Sequence, residues 1–466
     1  MRTAIVASTA MLSNDFRMAP SFHVAPDPEA LATVARMNSE PLNDLCVKRG
    51  IYRGPMFRRI FTTDPEFGRP YVTATDLEQA EVRPTTFLST KHGNLLERLA
   101  LDLDTVVISR SGVNLGKAFY IRPDTAEFVG SDDLIRVVAD PARVLPGYLF
   151  AYLDSRFGRS AIRQPTHGGS VRHIEPRDLA GLPIPRFPER VERHIHDRVF
   201  EASRLLADHS TRLEAATSVL EQASGLHAVS LCGWDADRDH LGWSECRMDV
   251  GSLRPLNYDP RVAQLRAILD ARPHDLLGDL CDPAYFRGKQ VFKREEALPE
   301  EGILLLGQRA VFRLRPEGRF ISRRSVDRNG LRVPPGTVLI PSHGTLGVRE
   351  LYCRAVAVTP RMAEFAFSGD FFRCVPLEDR IAPGYLYAFM RSRYAFHMLR
   401  GMSSGGKQQE LTPGPMGNFP VPRLAAGQES EIAQEVDRAL GNFDDAVAKL
   451  TSARDQLETY IEQAAG

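Results

Sequence analysis

The chain has 466 residues, 43% of them apolar and 25% charged, with 59 basic side chains balanced by 59 acidic ones. That length holds two or three domains, each large enough for its own core, and the composition is that of an ordinary soluble globular protein. It excludes a membrane-spanning chain, since no run approaches the roughly 18 apolar residues a spanning helix needs; the start, Met1-Arg2-Thr3-Ala4-Ile5-Val6-Ala7, turns polar too soon for a secretory signal.

A cytoplasmic location is therefore expected, with no membrane partner. The six cysteines (Cys46, Cys232, Cys246, Cys281, Cys353, Cys374) contain no Cys-x-x-Cys pair and are expected to be reduced thiols. The zero net charge hides a segregation. Residues 301–427 carry 18 Lys and Arg against 9 Asp and Glu, whereas residues 428–466 carry 3 against 9 and residues 1–190 carry 24 against 22. A basic globular region followed by an acidic helix presents one face to phosphate and another to protein. Only 7 of the 59 basic residues are lysine, so a general preference for arginine is the competing explanation.

In chain order, Pro28 to Met37 predicts a short helix opened by proline, and Tyr71 to Ala74 an extended segment. Thr105 to Ser109 and Ala118 to Ile121 predict strands around a glycine-bearing turn, Arg110-Ser111-Gly112-Val113-Asn114-Leu115-Gly116. Leu134 to Val138 predicts another strand, Pro146 to Ile162 one helix, and Thr166 to Ser170 a loop. From Glu189 to Ala223 a heptad seam follows: Ile195, Val199, Ala202, Leu206, His209, Leu213, Ala216, Leu220 and Ala223. Ser224 to Asp239, rich in Ser, Gly and Asp, predicts a linker.

After the linker the order repeats. Pro146-Gly147-Tyr148-Leu149 returns as Pro383-Gly384-Tyr385-Leu386, Ser131-Asp132-Asp133 with Arg136 as Ser368-Gly369-Asp370 with Arg373, and Leu182-Pro183-Ile184-Pro185-Arg186 as Phe419-Pro420-Val421-Pro422-Arg423, all 237 positions on. The seam returns as Ile432, Val436, Ala439, Phe443, Ala446, Leu450, Ala453, Leu457 and Tyr460. The expected fold is α+β: a tandem duplication of a mixed α/β domain plus a long helix, the two helices pairing as an antiparallel coiled coil with pseudo-twofold symmetry. Val199, Leu206, Leu213 and Leu220 on one helix, and Val436, Phe443, Leu450 and Leu457 on the other, would each fill the space over the alanines of the partner. The boundaries read as 1–188, spacer helix 189–225, linker 226–242, 243–427 and spacer helix 428–466. Two amphipathic helices that each cover their own domain are the alternative.

No catalytic constellation stands out. Asn257-Tyr258-Asp259-Pro260 lacks the paired prolines of an adenine methyltransferase motif, and Gly112 to Lys117 falls short of a phosphate loop. His194 and His196 point to different helix faces, so no metal site is expected. What recurs is a pair of loops: the turn with Gly112 and Gly116 (again with Gly344 and Gly347) and the loop with Gly168 and Gly169 (again with Gly405 and Gly406). Glycines serve tight turns and close approach to phosphate. Beside them stand Arg110, Asn114, Lys117, His167, Ser170 and Arg172 in one copy and His343, Arg349, Lys407, Gln408 and Gln409 in the other. Arg, Asn, Gln and Lys reach base edges. Scaffold positions match while the polar residues differ, as in two readers of different targets.

The order Ser109-Arg110-Ser111-Gly112, Pro146-Gly147-Tyr148-Leu149, Gly168-Gly169-Ser170 with Ile174, then Leu182-Pro183-Ile184-Pro185 before a long helix, all twice, resembles the specificity subunit of type I restriction-modification enzymes. Ser342-His343-Gly344 and Phe419-Pro420-Val421-Pro422 depart from the pattern of that family. The resemblance implies a non-catalytic chain with two target recognition domains that read a bipartite double-stranded DNA sequence. It implies spacer helices that carry two methyltransferase (modification) subunits, with restriction and translocase subunits in the larger complex. No cofactor is expected on this chain, and S-adenosylmethionine is expected on the methyltransferase. Alternatives are a specificity subunit of a methylation-based phage-defence system with another effector, and a protein scaffold that binds no DNA.

Overall fold

The computed structural model describes residues 27–62, 64–164, 172–231, 234, 254–288, 290–347 and 349–465. Among them no helix is long and apolar enough to cross a membrane. Two compact units divide the chain, one of residues 1–207 with 445–466 and the other of residues 208–444. The division falls inside both long helices, so each unit holds one end of each.

In the first unit a helix, α1 (Pro28–Ala35), is capped by Asp27 and opened by Pro28 as its sequence requires. A four-stranded antiparallel sheet follows, with β1 (Cys46–Arg53) beside β4 (Leu134–Ala139), then β2 (Val106–Ser109) and β3 (Ala118–Tyr120). The stretch predicted as one helix from Pro146 is two, α2 (Pro146–Asp154) and α3 (Arg156–Arg163). Ser155 breaks it: its backbone is extended and its hydroxyl accepts from Gly158 N, capping the second helix. Gly147 is required because a Cβ there would lie 2.8 Å from the carbonyl of His196 on the long helix α4 (Glu189–Ala223). The Tyr148 hydroxyl donates to the Pro185 carbonyl, and Pro183–Pro185 pairs with Ser39–Pro41. Arg186 then locks the start of α4, its Nε 2.9 Å from Glu192.

The second unit makes the same contacts with different residues. Its strands β5 (Val338–Pro341) and β6 (Phe371–Cys374) pair antiparallel, and helices α5 (Pro383–Met390) and α6 (Arg393–Gly401) are again separated by a capping serine, Ser392. A Cβ on Gly384 would lie 2.7 Å from the carbonyl of Ala433 on the long helix α7 (Ala426–Ala465). Tyr385 donates to the Pro422 carbonyl at 2.8 Å, and Arg423 Nε holds Glu429 at 2.9 Å. These matches account physically for the Pro-Gly-Tyr-Leu and Pro-x-Pro-Arg strings that recur in the sequence.

Along the long helices the seam side chains are buried in both units. Ile195, Val199, Ala202 and Leu206 are at most 1% exposed, as are Leu213 and Leu220, and Val436, Ala439, Ala446, Ala453 and Leu457 match them. Two positions differ from the heptad expectation. Tyr460 and Ala223 are only half-buried, and at the C-terminal end Ile461 takes the inward place. In the first unit His194 bonds Gln456 and Lys449 bonds Glu201; in the second His209 Nδ1 lies 2.8 Å from the Ala439 carbonyl and Arg212 bonds Glu435. Within each unit the contacts run in opposite chain directions.

The predicted linker is partly core. Leu226, Val229 and Trp234 are buried in the second unit, and the Trp234 ring stacks on His397 with centroids 4.2 Å apart. Scattered apolar residues among polar ones suffice to dock this segment, which composition alone does not reveal.

Candidate nucleic-acid interface

In the first unit β2 ends at Ser109 and the chain enters the glycine turn, with Gly112 at φ 73° and Gly116 at φ 76°, where a side chain would be strained. The second loop of this unit leaves the described residues at 165–171, so His167, Gly168, Gly169 and Ser170 lie outside them. Where the chain resumes, His173 bridges to Ser111, and Ile174 N donates to the Arg110 carbonyl at 3.1 Å. The chain just after the second loop is thus stitched edge to edge to the glycine turn.

Three of the polar residues expected to face bases form the frame of the turn instead. Arg110 donates to Glu175 at 2.6 Å and to Asp133 at 3.4 Å, and the Ser111 hydroxyl donates to Asp133 at 2.6 Å. Lys117 pairs with Glu78 at 2.5 Å, and Asn114 is 6% exposed. A guanidinium committed to two carboxylates is not available to read a base in this conformation. Arg172 is exposed, and Val113 at the tip of the turn is 94% exposed.

In the second unit the stitching is a small sheet. His343–Gly344 pairs with Gln409–Glu410, which pairs in turn with Ser404–Gly405, and Leu411 N donates to the Ser342 carbonyl at 2.8 Å. That last bond is the counterpart of the one between Ile174 and Arg110. His343, in the register of Ser111, has its Nε2 3.1 Å from Asp370, so the turn that lacks the arginine keeps the matching carboxylate. Gln409 is 3% exposed and its amide donates to the Gly406 carbonyl, so it shapes the loop from within. Arg349, Lys407 and Gln408 are exposed. Gly405 has φ 97°, and a Cβ on it would meet the Gln408 carbonyl at 2.4 Å.

Several residues that position this surface went unnoticed in the sequence. Arg400 of α6 donates to the carbonyls of Leu346 and Gly347, both at 3.0 Å, and Arg163 of α3 reaches the Leu115 carbonyl at 3.4 Å. Both stand in the last turn of their helices and are 237 positions apart, a signal that was present in the repeat. Arg136 is 1% exposed and donates to the carbonyls of Ser131, Leu134, Leu99 and Gly130 at 2.8–3.1 Å. Arg373, 2% exposed, donates to Gly330 and Phe367 carbonyls. Burial lowers the pKa of both, that of Arg373 to about 10. Each fixes the turn that carries Asp133 or Asp370. Beside Asp370 opens a cleft of about 380 Å³ lined by Arg294, Gln308, Arg309 and Arg313, and Gln308 donates from its floor to the His343 and Asp370 carbonyls.

No protein-family model matches the chain, and no curated protein matches it. Among solved structures it is similar to the S subunit of a type I restriction-modification system from M. genitalium, at 12% identity over 92% of this chain and 95% of that one, with a TM-score of 0.34. It is also similar to an HsdS subunit from Thermoanaerobacter tengcongensis, at 16% identity over 92% of this chain and 95% of that one, with a TM-score of 0.27. A chain from a structure described as the complex assembly and conformational transition of the type I R-M system has 15% identity, the same two coverages and a TM-score of 0.27. At these identities and scores, function has to rest on the residues themselves.

Proposed function

We propose that the protein is the DNA-recognition subunit of a type I restriction-modification methyltransferase complex, a duplicated reader in which each mixed α/β lobe recognises one half of a bipartite duplex target. The observation that carries this reading is that in both units the glycine turn is hydrogen-bonded to the segment that closes the second loop, beside the matching carboxylate (Asp133 or Asp370), while the exposed polar side chains among the described residues differ, Arg172 in one and Arg349, Lys407 and Gln408 in the other. A common frame with unlike tips is what two different half-sites require. Arg172, Arg349, Lys407 and Gln408 are the residues assigned to contact DNA. His167 and Ser170 join them on sequence grounds.

The remaining assignments follow from the same reading. The long helices pair as an antiparallel coiled coil that sets the gap between half-sites and docks two methyltransferase subunits. The chain carries no catalytic centre or cofactor of its own, and S-adenosylmethionine belongs to the methyltransferase. Mapping methylated adenines in cells that hold this chain with its partner subunits tests the proposal. A bipartite motif that disappears when the gene is deleted is expected, and unchanged methylation would overturn it. In vitro, affinity of the complex for random duplex should fall steeply with salt, as phosphate contacts dictate.

A further inference from the structure

Shortly after Arg53-Gly54 and Arg287-Gly288, a matching pair in the two units, lies a second recurrence: Met56-Phe57-Arg58-Arg59 in the first unit and Val291-Phe292-Lys293-Arg294 in the second. The exposure pattern is the same in both. Met56 is 78% exposed and Val291 85%, each phenylalanine is half-buried, and the two cations after it are exposed. Phe57 packs against the cluster of Tyr71, Leu88 and Leu99, and Phe292 against that of Ile303, Leu305 and Ile321.

Neither segment is loose. In the first, Ile60 N donates to His92 Nε2 at 3.2 Å, the His92 ring meets Phe57 edge-on, and Arg59 pairs with Asp132 at 2.6 Å. In the second, Gln290 N donates to the Gly369 carbonyl at 2.8 Å and the Gln290 side chain to the Asn329 carbonyl at 2.7 Å. Asp132 and Gly369 are matching positions, each next to the carboxylate that anchors the recognition turn. The segment is therefore tied in both units to the base of the interface. Where Asp132 is replaced by Gly369, Arg294 loses its carboxylate and lines the basic cleft beside Asp370. Among the described residues Arg58, Lys293 and Arg294 form no ion pair.

Resting on the DNA-recognition reading, we propose that these two segments are a second duplex contact in each half-site. Arg58, Lys293 and Arg294 engage phosphates flanking the bases read by the loops, and Met56 and Val291 pack on the sugar wall of the groove. Two unlike anchorings that each hold out an apolar residue with an unpaired cation two positions on point to a shared ligand, and exposed unpaired cations beside the recognition turn select a polyanion. Apolar side chains presented beside cations are a recurrent way of gripping a groove.

The test compares the full chain, purified with the subunits that accompany it, against Arg58→Gln/Lys293→Gln and Met56→Ser/Val291→Ser double variants. The probe is a labelled random-sequence duplex of about three helical turns, titrated between about 50 and 200 mM salt. Loss of two phosphate contacts should make the slope of log affinity against log salt shallower by about 1.8. The serine variant should bind roughly 3- to 10-fold more weakly with its slope unchanged. If the parent complex itself shows no steep salt dependence, the DNA-recognition reading fails. If the parent does and both variants match it, only the role of these segments is overturned. Loss of accompanying subunits by the serine variant, with DNA binding intact, would overturn it in favour of protein docking.

Discussion

Replacing Arg136 with Met should separate the recognition frame from the core beneath it. The guanidinium donates to four backbone carbonyls between 2.8 and 3.1 Å, two of them in the turn that carries Asp133. A hydrogen bond from a charged donor contributes about 1.5–3 kcal/mol, but removing a buried charge also removes its desolvation cost, so about 1 kcal/mol per carbonyl is the working figure. Arg136→Met should then cost about 4 kcal/mol, and Arg373→Met, whose bonds run to Gly330 and Phe367, about 2 kcal/mol. Thermal unfolding of each full-length variant measures the difference. Duplexes altered in one half-site at a time measure its consequence. Arg136→Met should lose discrimination at the half read by the first lobe only. Equal destabilisation by the two substitutions, or loss at both halves, would refute the idea that each arginine clamps its own recognition turn.

Leu213 is fully buried and Leu450 6% exposed, so Leu213→Asp or Leu450→Asp buries an unpaired carboxylate at a cost of several kcal/mol. Either should release the methyltransferase subunits, and normal co-purification by both would count against the helical pair. Exchange of residues 13–187 for the matching lobe of a relative should change one half of the methylated sequence and leave the other half and the gap intact; changes in both halves would refute independent readers. Burial, with Arg393, Arg400 and Arg261 nearby, pushes His397 down to about 3. Its folded pKa lies below the unfolded value of about 6.5, so stability is full above about pH 6.5 and falls as protons bind the unfolded chain, by about 2 kcal/mol at pH 5. His397→Phe, which keeps a ring under Trp234, should flatten that part of the unfolding profile.

The sequence made legible those features that depend on local chemistry or on exact repetition. The capped start of α1, the strands before and after the glycine turn, and the buried seam from Ile195 to Leu220 all follow from spacing and side-chain type. The serine that splits the helix after Pro146 recurs 237 positions on as Ser392, each followed by arginine, but the capping bond that makes it a break depends on local backbone geometry. The stitching of the loops was hidden because it joins residues distant in sequence, Ser111 to His173 and Gly344 to Gln409. For the same reason Arg110, Asn114 and Lys117 read as base contacts: side-chain chemistry tells which groups can reach a base, whereas the ion pairs that hold two of them back, and the burial of the third, depend on tertiary placement.

The stitching matches Ser342 to Arg110 and His343 to Ser111, so the second turn keeps a carboxylate contact but has no arginine. Arg110 faces two carboxylates, Asp133 and Glu175, and Glu175 caps the short helix Pro176–Ala180. In the second unit Thr412 caps the matching helix Pro413–Gly417, and His343 faces Asp370. A full cation there would have only one carboxylate, leaving it partly free to bind phosphate. His343→Arg should therefore add up to one phosphate contact and steepen the salt slope of binding to random duplex by up to about 0.9. Adding Asp370→Asn should steepen it further, because the guanidinium then faces no carboxylate. If the single and double variants gave the same slope, the pairing of cation and carboxylate would not be what keeps this turn neutral toward DNA.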